Sequence, residues 1–145
     1  MFYTKAGQAA FDGGDFSRAK GYLKEGLRLY GKYDVVWGRS TAEGFMALIY
    51  FREGDYHKAQ DCLTRGDKYS KKIQSPYELG IIYRIKSAIK REMMERKHVP
   101  KSLQEYLPRS LSWYCGKGME NLGKIQGCYE IDILRRLDGL ATKDR

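Results

Sequence analysis

The side chains of this chain that could carry a reaction are few, and their spacing suits no reaction centre. His57 and His98 read as isolated residues with no His, Cys or carboxylate at ligand spacing, so a solvated helix-start or loop position is expected for each. Three cysteines, Cys62, Cys115 and Cys128, form neither a disulfide framework nor a zinc pattern. Cys62 and Cys115 fall on apolar helical stripes and read as small core residues. Cys128, at a helix start, has a setting that lowers a thiol pKa but has no base to partner it. Glu78 and Glu130 recur in related segments, which suggests a carboxylate pair. Both stand at the third helical position after a cap signal, where the helix macrodipole favours a carboxylate, and that is the preferred reading. No glycine-rich phosphate loop, Ser/His/Asp order or His-Glu-x-x-His is present. The expectation is a chain that is not an enzyme, with no cofactor and no metal.

The 145 residues suit one domain over 1–145, with 42% apolar and 31% charged side chains, the balance of a soluble globular protein. No run approaches the roughly 18 apolar residues of a membrane span, so no membrane role is expected. Met1 to Gly7 carry no basic region followed by an apolar core, so no secretory signal is read there. Unpaired cysteines then suggest a reduced, cytoplasmic setting. The net charge of +9 favours an anionic partner without choosing among nucleic acid, membrane surface and acidic protein. Its densest run is Lys86, Lys90, Arg91, Arg96 and Lys97, read first as a solvated helix face and second as a phosphate track.

The elements that would position these residues are repeated. Gly14-Asp15-Phe16-Ser17-Arg18-Ala19, followed by Leu23 and Gly26, recurs forty positions on as Gly54-Asp55-Tyr56-His57-Lys58-Ala59, Leu63 and Gly66. Gly-Asp makes a tight turn, Asp caps the next helix, and the adjoining aromatic packs back on the preceding one. A second duplication, offset by fifty-two, relates Ile73–Ile85 to Ile125–Leu137, with six of thirteen residues identical. The offset difference of twelve residues falls between Met94 and Tyr106 and reads as a lengthened hairpin tip.

Apolar spacing is helical throughout: Ala19, Tyr22, Leu23, Gly26, Leu27 and Tyr30 form one stripe, and Leu111, Tyr114, Cys115, Gly118, Met119 and Leu122 another. Ser75-Pro76-Tyr77-Glu78 is a helix start with a capping box, and Ser40-Thr41-Ala42-Glu43 has the same form, with Asp34 as an earlier alternative. Helices are expected over 2–13, 15–31, 38–53, 55–72, 76–97, 102–124 and 127–141. That makes three hairpins and a closing helix.

These residues resemble the tetratricopeptide repeat family. Its pattern is met by Tyr3, Gly7, Gly14-Asp15-Phe16, Ala19, Leu23 and Gly26, then by Ala47, Tyr50, Gly54-Asp55-Tyr56, Ala59, Leu63 and Gly66. The second repeat departs at Glu43, where the family has an aromatic, with Trp37 in a longer helix as the alternative for that role, and the third, with Leu111 for Ala and no Gly-Asp turn, is degenerate. The match covers 3–70 well and 71–141 weakly. The resemblance implies an all-α fold, a right-handed superhelical solenoid of repeats 2–31, 38–72 and 76–124 with a closing helix 127–141. The forty-residue spacing is similar to the tetratricopeptide-like segments of large bacterial transcriptional regulators, which implies a regulatory or sensing role.

The family's concave groove, lined by first helices, binds a peptide or protein, and its groove positions fall on Thr4, Gln8, Phe11, Asp12, Thr41, Leu48, Phe51 and Arg52, with Arg84 in the third hairpin. The family's carboxylate clamp is missing, since Thr4, Gln8, Gly44 and Leu48 replace its Lys, Asn and Arg, so chaperone-tail binding is not implied. Arg84 and Arg136 recur and read either as anion hooks or as arginines lying over a neighbouring helix. Trp37 and Trp113 are the aromatics expected to be partly exposed. The function expected is a non-catalytic protein-interaction scaffold, with a basic nucleic-acid-binding repeat as the alternative. A cap-like closing helix, with Ile131, Leu134 and Leu137 on one stripe, suits a monomer or weak homodimer.

Overall fold

A computed structural model describes residues 2–125 and 130–143. Those residues are helical and contain no strand: α1 Phe2–Asp12, α2 Phe16–Lys32, α3 Arg39–Arg52, α4 Tyr56–Ile73, α5 Pro76–Met93, α6 Lys101–Tyr106, α7 Leu111–Leu122 and α8 Glu130–Lys143. Contacts divide the chain into two compact units, Met1–Ile73 and Gln74–Arg145.

In the first unit α1 pairs with α2, α3 pairs with α4, and α3 also meets α1 and α2. Both hairpins turn by one device. Gly14 and Gly54 adopt left-handed backbone, at φ 85° and 83°. This lets the N–H of the following Asp reach back to close the helix, Asp15 to Ala10 O and Asp55 to Tyr50 O, each 2.9 Å. The same aspartates then cap the next helix: Asp15 Oδ1 accepts from the Arg18 N–H (3.1 Å) and Asp55 Oδ1 from the Lys58 N–H (3.3 Å). Phe16 packs on Phe11 and Tyr56 on Phe51, both with ring centroids 5.2 Å apart. The repeated motif therefore does what its residues suggest.

Between paired helices the spacing is set by small residues. A Cβ on Gly26 would come within 2.9 Å of Tyr3 Cβ, and one on Gly7 within 2.7 Å of Leu23. Ala19, Leu23, Ala59 and Leu63 are fully buried at these crossings. Every residue from Ser40 to Ile49 of α3 is buried.

The third hairpin differs from expectation. The span 102–124 is two helices, because Pro108 has no N–H to donate and its ring excludes the carbonyl one turn earlier. The chain restarts at Ser110, whose hydroxyl accepts the Trp113 N–H (3.1 Å) and caps α7. The lengthened tip is not a loose loop: α6 lies within it, and Val99, Leu103 and Leu107 are buried. Two expected caps also change role. Ser75 precedes Pro76 in extended backbone, yet its side chain makes no cap bond. Ser40 lies inside α3, with Gly38 at its N-cap, and its hydroxyl donates instead to Gly66 O on α4 (2.9 Å).

In the second unit α7 packs between α5 and α8. Leu111, Cys115, Leu122 and Leu134 form its core, with Tyr77, Met119, Ile125 and Leu137 against them. Gly118 faces Leu134 where α7 and α8 cross. Gln126 to Tyr129, and with them Cys128, lie outside the described residues, as do the side chains of Glu130, Ile131 and Asp132.

The glycines separate by role, which thermal unfolding can read. Gly14→Ala places a Cβ on left-handed backbone and should cost about 1–2 kcal/mol although the surrounding space is open. Gly26→Ala should cost about 1–3 kcal/mol by forcing α1 off α2. Gly21→Ala, in an open position within α2, should stabilise by about 0.5–1 kcal/mol.

Candidate partner-binding surface

Of the nine residues assigned to a groove, Asp12 and Arg52 are exposed and the other seven are buried. Thr4 shares a 2.7 Å hydrogen bond with the Tyr30 hydroxyl and ties α1 to the end of α2. Gln8, Thr41, Leu48 and Phe51 are interior, Phe51 completely so. Phe11 is interior and packs on Phe45 as well as Phe16, at centroid distances of 5.2 Å. Arg84 is 6% exposed, a burial that fits an arginine lying within helix packing better than an anion hook. Arg136, its counterpart fifty-two residues on, is exposed.

Arg52 is the assigned residue best placed to meet a partner. Its guanidinium carbon lies 5.1 Å from the Phe11 ring centre and 5.4 Å from that of Phe16. Both rings belong to the first hairpin, so the cation of α3 spans the junction between hairpins one and two. Phe16 is 39% exposed and continues the surface. On α1 and α2 an open depression of about 390 Å³ is lined by Ala6, Ala9, Ala10, Gly13, Asp15, Arg18 and Tyr22. Arg18 closes one side, donating to the Tyr22 hydroxyl at 3.0 Å, and this bond raises its pKa. Trp37 is 57% exposed, in line with its expected exposure, and Trp113 is half-buried.

An ion pair that sequence spacing does not announce explains the departure at Glu43. Its carboxylate is buried and accepts from Arg65 Nε on α4 at 3.0 Å. Forty residues earlier the matching positions hold Tyr3 and Glu25, and Glu25 pairs instead with Arg28 on its own helix. Hydrogen bonding to Glu43 raises the Arg65 pKa. Cys62 sits against the same pair, accepting from Arg65 Nη2 at 3.4 Å. Burial, and then the nearby Glu43 charge, push its thiol pKa up to about 12. Burial also raises Cys115. Both thiols are therefore core groups. Contrary to expectation His57 has a carboxylate one turn on, Asp61 at 3.7 Å, but the imidazole is 90% exposed. Among the described residues no three His, Cys, Asp or Glu side chains group as a metal site, and no helix is long and apolar enough to cross a membrane.

Compared with protein-family models, with curated proteins and with solved structures, the chain finds no match.

Three outcomes follow from the Glu43 cluster. Arg65→Ala should destabilise by about 1–3 kcal/mol, since it removes the cation from a buried carboxylate, and joint replacement of Glu43 and Arg65 by Met should recover part of that loss. The Cys62 thiol should resist alkylation at pH 8 in the native protein and react on unfolding. Because its folded pKa lies above its unfolded one, its contribution to stability is complete below about pH 8.5 and is lost as pH rises toward 12. Chemical denaturation across that range measures the loss.

Proposed function

We propose that this chain is a non-catalytic interaction module, a right-handed solenoid of tetratricopeptide-type hairpins that binds a protein or peptide partner. The observation that carries the reading is the recurrence, forty residues apart, of one hairpin closure: left-handed glycine, an aspartate that ends one helix and caps the next, and an aromatic folded back. A single such hairpin cannot bury its apolar face, and stacked copies serve mainly to present an extended surface. On that surface Arg52 of α3, over Phe11 and Phe16, supplies a cation on an aromatic floor, and Asp12 and Asp15 are exposed acids of the first hairpin. The cation and the rings suit a partner segment with a carboxylate followed by an apolar side chain. The same resemblance implies service as the sensing part of a larger regulator.

The test is capture from lysate by the purified chain, with nuclease present and across a salt series. Arg52→Glu should cut retention of the captured protein about tenfold while the circular dichroism spectrum stays that of the parent. Arg84→Glu should instead lower the melting temperature, because it reverses a buried charge. Unchanged capture by Arg52→Glu would remove this surface from the reading.

A further inference from the structure

We propose that the second unit carries a binding surface for single-stranded nucleic acid, formed by side chains that α5, α6 and α7 contribute. This goes beyond the protein-binding reading and rests on other residues. Tyr83, Tyr106 and Trp113 come from three different helices, and none is fully buried. Tyr83 and Trp113 meet edge to face, with centroids 6.1 Å apart. Lys86 Nζ lies 5.4 Å from the Tyr83 ring centre and 6.0 Å from that of Tyr106, which links Tyr106 to the other two rings through one cation. Trp113 is flanked by two more cations, Arg109 at 5.1 Å and Lys117 at 5.6 Å. The break at Pro108 creates this arrangement: it ends α6, and the backbone N–H of Arg109 then bonds the Tyr114 hydroxyl (3.3 Å), fixing the arginine beside α7.

Aromatic rings with cations within 5–6 Å of their centres bring together the two side-chain classes that bind an unpaired strand, rings on which bases stack and cations that meet phosphates. Cations held against rings are positioned in advance, so less side-chain entropy is lost when a phosphate arrives. A peptide of acidic residues alone would use the cations and leave the rings idle. A duplex would offer phosphates but keep its bases stacked away from the tryptophan. The carboxylate beside the patch, Glu120, is 3.6 Å from Lys117 across one helical turn, an exposed pair that a phosphate can displace. The overall charge of +9 draws a polyanion toward the chain.

The experiment is fluorescence anisotropy of a labelled oligothymidylate with the full chain, over a range of salt. Duplex DNA of the same length and polyglutamate serve as competitors. Binding should weaken steeply with salt, and the single strand should compete better than either alternative. In a Trp37→Phe background, binding should quench the remaining Trp113 emission. Trp113→Ala should weaken binding about tenfold through lost stacking. Arg109→Glu, at an exposed position, should weaken it and make the log–log salt slope shallower by about one. No binding at low salt overturns the proposal, as does wild-type binding by Arg109→Glu with unchanged helicity. Equal competition by polyglutamate overturns it in favour of an acidic protein surface, and equal competition by duplex reduces it to charge alone. None of these outcomes bears on Arg52 and protein capture.

Discussion

The near contact of helix backbones at glycine and alanine is the constraint on which the rest of this structure depends. At Gly26 the neighbouring helix comes so close that a methyl group would meet Tyr3 Cβ at 2.9 Å, and at Gly7 the Leu23 side chain occupies the place of the missing one. Interdigitation at that distance buries Ala19 and Leu23 completely and brings the Thr4 hydroxyl to Tyr30. The second unit repeats the device with Gly80 against Leu122 and Gly118 against Leu134. Wider spacing would open these seams and leave each helix with an apolar stripe that no partner covers.

Turn chemistry keeps that spacing in register. A left-handed glycine fixes where a helix stops, and the aspartate after it both ends that helix and starts the next. Two helices joined in this way have little freedom to slide, so the small residues arrive opposite their large neighbours. The third hairpin lacks the device. It uses a longer tip instead, held by Leu103 and Leu107 in the core and by Lys90, which donates to Leu107 O at 2.9 Å. This is why the third hairpin can depart from the repeat pattern and still close.

Several of the cations in this protein are placed against aromatic rings. Arg52 lies over Phe11 and Phe16, Arg39 over Tyr69, Lys86 over Tyr83, and Arg109 over Trp113. Such contacts let a chain with nine excess positive charges keep them at its surface with limited freedom. They also leave ordered cations beside exposed aromatic carbon, a combination suited to recognition. The two units offer it in different forms, one cation across a hairpin junction in the first and several around a tryptophan in the second.

Local grammar was legible in the residues. The Gly-Asp-aromatic turns, the helical stripes and the core cysteines at 62 and 115 depend on neighbours a few positions away, and sequence order specifies those directly. Pro108 was equally readable as a helix stop, but the strong stripe from Leu111 to Leu122 masked it. What a polar side chain meets on another helix depends on helix rotation and crossing, which sequence order leaves open. Tertiary structure alone therefore turned Ser40 from a cap into a donor to Gly66, paired Glu43 with Arg65, buried seven of the nine assigned groove residues and gathered three aromatics around the cations of the second unit.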